Sequence, residues 1–206
     1  MRRISFLAAA LAAVLSAPAL AQAPPPPDGT PTRVRGTVEK LDGKTLVVKA
    51  RDGAMVNITL ADKVTVSTLV KKTLADIKAG DYVASTAVKG TDGKLHSVEL
   101  RIFPESMRGV GEGQRPWDLT PDSVMTNATV GTITKAPAGN VLKVTYKGDE
   151  SELIVGPECP VLANADGDMS LVKPGAAVFV IALKKADGTI TAARLYAEKD
   201  GVKPPM

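Results

Sequence analysis

The chain has 206 residues, 44% of them apolar and 3% aromatic, with 26 Lys and Arg against 22 Asp and Glu and a single cysteine. One Cys excludes an internal disulfide framework, so an exported form of this chain must be stable without one. So few aromatic side chains leave single-stranded nucleic acid without the stacking platform its binders use, and the length admits one large domain or two small ones.

Arg2 and Arg3 form a basic start, Ile4 to Ser16 an apolar run, and Ala19-Leu20-Ala21 a small-x-small cleavage site before Gln22. This pattern predicts a secretory signal peptide over residues 1–21. The apolar run is too short for a stable span, and no Cys near the site offers an acyl anchor. Cleavage leaves 24 basic and 22 acidic side chains, a charge of +2. No later stretch approaches 18 consecutive apolar residues. The expectation is a periplasmic or secreted protein with no transmembrane segment once the signal is removed. Residues 22–33 follow as a Pro-rich leader, whose four consecutive prolines favour polyproline II and suit a stiff spacer or a docking motif.

The rest of the chain reads twice. Gly36-Thr37-Val38 recurs as Gly131-Thr132-Ile133, Lys78-Ala79-Gly80 as Lys173-Pro174-Gly175, and Asp92-Gly93-Lys94-Leu95 as Asp187-Gly188-Thr189-Ile190, each 95 residues on. Such a fixed offset marks a duplication. In the first copy, Arg35–Leu41, Thr45–Ala50 and Met55–Leu60 are β-branched runs separated by Asp42-Gly43 and Asp52-Gly53, strong hairpin turns. A short Val64-Thr65-Val66 follows, then a helical turn within Thr73–Gly80, then strands over Tyr82–Val88 and Leu95–Phe103.

Five strands with a helical turn between the third and fourth predict a five-stranded barrel of the oligonucleotide/oligosaccharide-binding (OB) type. The expected fold is mostly β: two tandem OB-like barrels, residues 34–103 and 129–198, joined by a docked linker over 104–128, with a tail at 199–206. Through the opening Gly-Thr-Val, the Lys-x-Gly before strand four and the Asp-Gly hairpin before strand five, both copies resemble a family of secreted bacterial tandem β-barrel domains of unknown function. That resemblance implies a fold and no activity.

The segment 104–128 carries Met107, Val110, the only Trp (Trp117), Leu119, Val124 and Met125, too much apolar surface for a free tether. Thr120-Pro121-Asp122-Ser123 has the pattern of a helix start. Gly109-x-Gly111-x-Gly113 fits neither a dinucleotide fingerprint nor a phosphate loop and is read as a sharp turn. Trp117 is either a strap anchored in the core or, with Arg108, Arg115 and Asp118, the lining of a cleft between the barrels that offers charge and a stacking face to an anionic ligand.

The remaining candidates are thinner. His96, the only histidine, has Met107 and Met125 as candidate soft companions for a copper-type site, fewer and more scattered than a metal requires. Cys159 occupies the position of Val64 in the first copy and has no base at hand, so it reads as a small apolar residue. Asn164-x-Asp166-Gly167-Asp168 lacks the frame of a calcium loop. Residues 33–103 carry 13 basic and 8 acidic side chains, against 8 and 9 in 129–201. The sequence thus points to a non-enzymatic binding protein without cofactor, holding a small ligand, an envelope polymer or a protein partner at the inter-barrel cleft. A structural or adaptor protein of the envelope and a copper-handling module are the alternatives, and nucleic acid is not an expected partner.

Overall fold

The computed structural model describes residues 29–137 and 139–205. The expected signal peptide and leader residues 22–28 lie outside them. Twelve strands run as β1 (Thr30–Asp42), β2 (Thr45–Ala50), β3 (Met55–Lys72), β4 (Tyr82–Lys89), β5 (Leu95–Ile102), β6 (Gly113–Pro116), β7 (Val124–Ala136), β8 (Gly139–Tyr146), β9 (Asp149–Val155), β10 (Val161–Asp166), β11 (Ala177–Lys184) and β12 (Ile190–Ala197). Three single 3-10 turns, Leu74–Asp76, Glu105–Met107 and Met169–Leu171, are the helical content among the described residues. None of these helices is long and apolar enough to cross a membrane.

The chain is mostly β and contains a closed five-stranded barrel. β1 pairs with β2, β2 with β3, β3 with β12, β12 with β11, and β11 returns to β1. All of these contacts are antiparallel except β3–β12. Its interior is packed from both halves of the sequence: Val38, Leu46, Val48 and Ile58 meet Val178, Val180 and Leu195. The Asp-Gly turns behave as their chemistry requires. Gly43, Gly53, Gly93 and Gly188 all take positive φ, and Asp92 and Asp187 each accept a hydrogen bond from the amide two residues on, at 3.0 and 2.8 Å.

A second ring follows the same cyclic order, with β7, β8, β9, β5 and β4 in place of β1, β2, β3, β12 and β11. Its parallel seam is split. Leu95 and His96 of β5 pair with Leu153 and Ile154 of β9, and Leu100 to Ile102 pair with Val161 to Ala163 of β10. Together β9 and β10 do what β3 does alone, because Leu195↔Val66 and Leu100↔Val161 are the same contact one repeat apart. Pro157 and Pro160, lacking the N–H that a ladder needs, interrupt the strand between them.

Neither repeat closes on itself, in contrast to the tandem arrangement expected from the sequence. The first repeat supplies three strands to the first ring and two to the second, and the second repeat reciprocates. The cause lies in β3, which the sequence divides into Met55–Leu60 and Val64–Val66 but which runs unbroken for 18 residues. Past Val66 the chain stays extended because residues 67–72 find backbone partners on β10, Ser67↔Asp166 through Lys72↔Val161. Six extended residues carry it roughly 20 Å from the first ring, and β4 is delivered to the other one. This is the geometry of strand exchange by an opened hinge, here within one chain.

The register also corrects one anchor of the repeat. Gly80 and Gly175, 95 residues apart, donate to the carbonyls of Val130 and Val38 respectively. Val38 therefore corresponds to Val130, and Gly36-Thr37-Val38 is three residues out of step with Gly131-Thr132-Ile133. The shift is absorbed in the neighbouring hairpins. β1 begins at Thr30, so the end of the expected leader is strand, paired to β11.

The expected linker is also partly strand: β6 pairs with β7 from Gly113↔Asn127 to Pro116↔Val124. Thr120–Ser123 is the turn between them and no helix starts there. Asp122 takes φ 57°, and Ser123 donates through its hydroxyl to the Thr120 carbonyl at 2.7 Å. In the expected tail, Lys199 and Val202 form a bridge.

Candidate functional site

The repeat relation places a pseudo-twofold axis at the β3–β10 ribbon, and the two rings meet around it. Ala84 and Phe179 are repeat equivalents, as are Arg101 and Tyr196, and all four line one cavity of about 130 Å3. A small third core of Leu69, Leu162, Phe179 and Tyr196 lies between the rings, with Trp117 packed against it.

The segment from Phe103 to Trp117 crosses this cavity, which Met107, Val110, Gly111 and Arg115 also line. Hydrogen bonds fix its course past the cavity. Tyr82 Oη and Asn127 Nδ2 donate to the Val110 carbonyl at 3.2 and 2.9 Å, and Arg115 Nη1 donates to the Gly111 carbonyl at 2.7 Å. Gly111 sits at φ 61°, and a Cβ there would lie 3.1 Å from Asn127 Nδ2 and 3.3 Å from Arg115 Nη2. Glycine is required at this point by both conformation and space.

Trp117 and Arg115 both line this cavity, Asp118 borders the adjoining groove with Arg33 and Arg35, and the three gather partners that the sequence did not suggest. The guanidinium carbon of Arg33 lies 4.1 Å from the Trp117 ring centroid, with Arg115 at 5.6 Å and Arg35 at 5.7 Å. Arg35 in turn covers Phe179 at 4.4 Å and grips Asp118 through both ends of its fork, at 2.8 and 3.0 Å. Burial raises the Asp118 carboxyl, but the Arg35 hydrogen bonds and the charges of Arg35 and Arg33 outweigh it and hold the group below its ordinary value. Arg115 is lowered by burial and by the like charge of Arg33.

Arg108 does not join them. Its guanidinium is bound to Glu105 at 2.6 and 2.7 Å and to the Gly80 carbonyl at 2.9 Å, beside Tyr82 and off the cavity wall. Its place is taken by Arg101, which donates to Glu99 at 2.7 and 3.2 Å in a buried pair and lies 5.1 Å from the Tyr196 ring centroid. The i, i+2 spacing of Glu99 and Arg101 on a strand was the legible signal, since such residues share a face. Arg33 and Arg35, which border the adjoining groove with Asp118, gave none, nor did Phe179, which the strand exchange carries to the cavity, or Asn127, which the β6–β7 pairing places there.

His96 and the two methionines are separated. Met107 and Met125 both line the cavity, whereas His96 borders another groove and its Nε2 contacts both Asp92 carboxylate oxygens at 3.1 Å. Among the described residues no group of three or more His, Cys, Asp or Glu is placed to hold a metal. The exchange does bring Cys159 to the groove of His96, although the two lie in different repeats. Burial, with a smaller contribution from Glu99, pushes the thiol up to about 12. Asn164 is strand, and its amide donates to Met107 Sδ and Tyr196 Oη at 3.3 Å. Asp168 caps the following 3-10 turn through Ser170. This stretch has no ligand-binding loop geometry.

Among the described residues four side-chain polar atoms are buried without a partner: Arg35 Nε, Asn127 Oδ1, and Thr68 Oγ1 and Asn164 Oδ1 on the β3–β10 ribbon. Arg35 and Asn127 hold corresponding positions of β1 and β7 by the Val38–Val130 relation, and of the four residues Asn127 lines the cavity. Comparison of the chain with protein-family models, with characterised proteins and with solved structures gives no significant match.

Proposed function

We propose that the chain is an exported, non-enzymatic binding protein made of two OB-like barrels, and that it holds a small ligand in the cavity where they meet. The cyclic order of strands one, two, three, five, four in both rings, with a parallel contact between the third and fifth, supports the OB-like reading. This agrees with the resemblance to secreted tandem-barrel domains, and the apolar run of residues 4–16 supports export.

The observation that carries the binding reading is Asn127 Oδ1. Asn127 is 4% exposed, lines the cavity, and leaves this acceptor without a partner. A buried acceptor left unmade costs about 1–3 kcal/mol, a deficit that a ligand donor removes. Around it Trp117, Phe179, Tyr196 and Met125 give an apolar wall and Arg115 a charge, the composition of a small-molecule site. A binding role over catalysis is supported by the Cys159 thiol raised to about 12 and by His96 committed to Asp92.

Native mass spectrometry of protein taken from the periplasm tests this. A bound small molecule is expected on the wild-type chain and absent from a folded Trp117→Ala variant. The same clean mass for both, with a substoichiometric or absent adduct, would remove the reading.

A further inference from the structure

Resting on the cavity as the binding site, we infer that its ligand is a short 2-hydroxycarboxylate with an apolar side chain. Three features of the wall define this class.

The first is charge. The cavity is lined by Arg101, Arg115 and Arg194 and, among the described residues, by no Asp or Glu. Arg101 is already neutralised by Glu99. Arg115 spends one nitrogen on the Gly111 carbonyl and has no carboxylate partner among the described ion pairs, nor has Arg194. A planar guanidinium fork of this kind matches a carboxylate; Arg194 is exposed to solvent, so the half-buried Arg115 is the cation that asks for a monoanion.

The second is the unpartnered acceptor. Asn127 Nδ2 donates to a carbonyl, that of Val110, and only an N–H can do so. The amide orientation is thereby fixed, and Oδ1 is the atom that lacks a partner. It asks for a donor. Asn127 and Arg115 both border Gly111, at 3.1 and 3.3 Å from the position of its absent Cβ. Those contacts are to Asn127 Nδ2 and Arg115 Nη2; Oδ1 shares the amide with Nδ2, so a carboxylate on Arg115 and a donor to Oδ1 suit neighbouring positions of one ligand, such as a carboxylate and the group on its adjacent carbon. An ammonium there would face the unpaired guanidinium of Arg115 with no carboxylate in the lining, whereas a hydroxyl donates at no charge cost. The adjacent group is a hydroxyl.

The third is size. The cavity of about 130 Å3 is slightly smaller than the roughly 150 Å3 known to hold benzene, so the cavity itself takes about six non-hydrogen atoms. Phe103, Trp117, Met125 and Phe179 receive its apolar side chain. A groove of about 340 Å3 shares Met107, Arg194 and Tyr196 with the cavity and admits a longer tail.

The test is a titration of the wild-type protein, followed through the indole N–H signal of Trp117, the only tryptophan. The probes are 2-hydroxyisovalerate, isovalerate, valine, 2-hydroxyisovaleramide and inorganic phosphate. The hydroxy acid is expected to shift the signal saturably and to bind at least tenfold tighter than each of the other four. Arg115→Gln should abolish the preference over the amide, with the fold checked by circular dichroism. Equal binding of hydroxy acid and isovalerate, preference for valine or phosphate, or no shift by any probe overturns the inference. If the class fails while a molecule that copurifies with the wild-type chain is lost in Trp117→Ala, the cavity remains the site and only its ligand is reassigned. If neither binds, both readings fall.

Discussion

Leu69 pairs with Asn164, its own counterpart one repeat later, at the centre of the antiparallel ribbon that β3 and β10 form between the rings. An antiparallel register in which a residue meets its equivalent is the mark of a twofold relation. The ribbon is thus both the axis of the molecule and the crossing point at which the two halves exchange strands. An isolated two-stranded ribbon is marginal in water, but here each strand continues into a packed ring.

The exchange predicts that neither half is a complete folding unit. Residues 29–103 and 104–205, expressed separately, should each fail to give a cooperatively melting monomer, because each would supply three strands to one ring and two to another. Mixed, they should form a 1:1 complex with the full chain's circular dichroism. Two independent, sharply melting monomers would show that each repeat closes on itself.

The Arg35–Asp118 pair predicts an acid-sensitive contribution to stability. The Asp118 carboxyl is depressed in the folded state, so its contribution is present above the unfolded value near pH 4 and is lost as pH falls through the lower folded value. Asp118→Asn should flatten the melting temperature below about pH 4 relative to wild type. Asp118→Ala should cost about 2 kcal/mol at neutral pH. This is less than the full penalty for stranding a buried charge, because Asp118 is 44% exposed and water shares the interaction. Parallel melting curves of wild type and Asp118→Asn from pH 6 to 2.5 would rule the contribution out.

Glu99 and Arg101 are each 8% exposed and hydrogen-bonded to one another. Glu99→Gln alone leaves the guanidinium buried without its counter-ion and should cost about 3–5 kcal/mol, while Glu99→Leu with Arg101→Met together should come closer to neutral. Urea midpoints of the single and double variants measure the difference. Additive losses would mean that the two charges do not depend on one another.

With its thiol pushed up to about 12, Cys159 carries about one thiolate in ten thousand at pH 8. Iodoacetamide should leave it unmodified in the folded protein over a period in which the urea-unfolded chain is fully alkylated, as read by intact mass. Equal rates in the two states would contradict the burial.

The sequence by itself determined the local pieces. Asp-Gly turns at Asp92 and Asp187 set their hairpins because the carboxylate caps the turn and glycine takes its positive φ, and the β-branched residues of Thr45–Ala50 and Tyr82–Val88 set those strands. Their count and order already define a five-stranded closed barrel. What only the tertiary structure decided is which copy of a strand fills each place. β11 and β4 match inward at Val178 and Val83 and at Ala182 and Ala87 and differ at Val180 and Ser85, so the strand pattern they share does not by itself say which ring each joins. The choice falls to a hinge around Val66 that stays extended because β10 lies alongside it. The site follows from that choice: Arg115, Trp117 and Asp118 share a segment and are legible together. Asn127 joins them through the local β6–β7 pairing, whereas Arg35, Arg101, Phe179 and Tyr196 meet them only because the exchange turns two unlike sheet faces toward one axis.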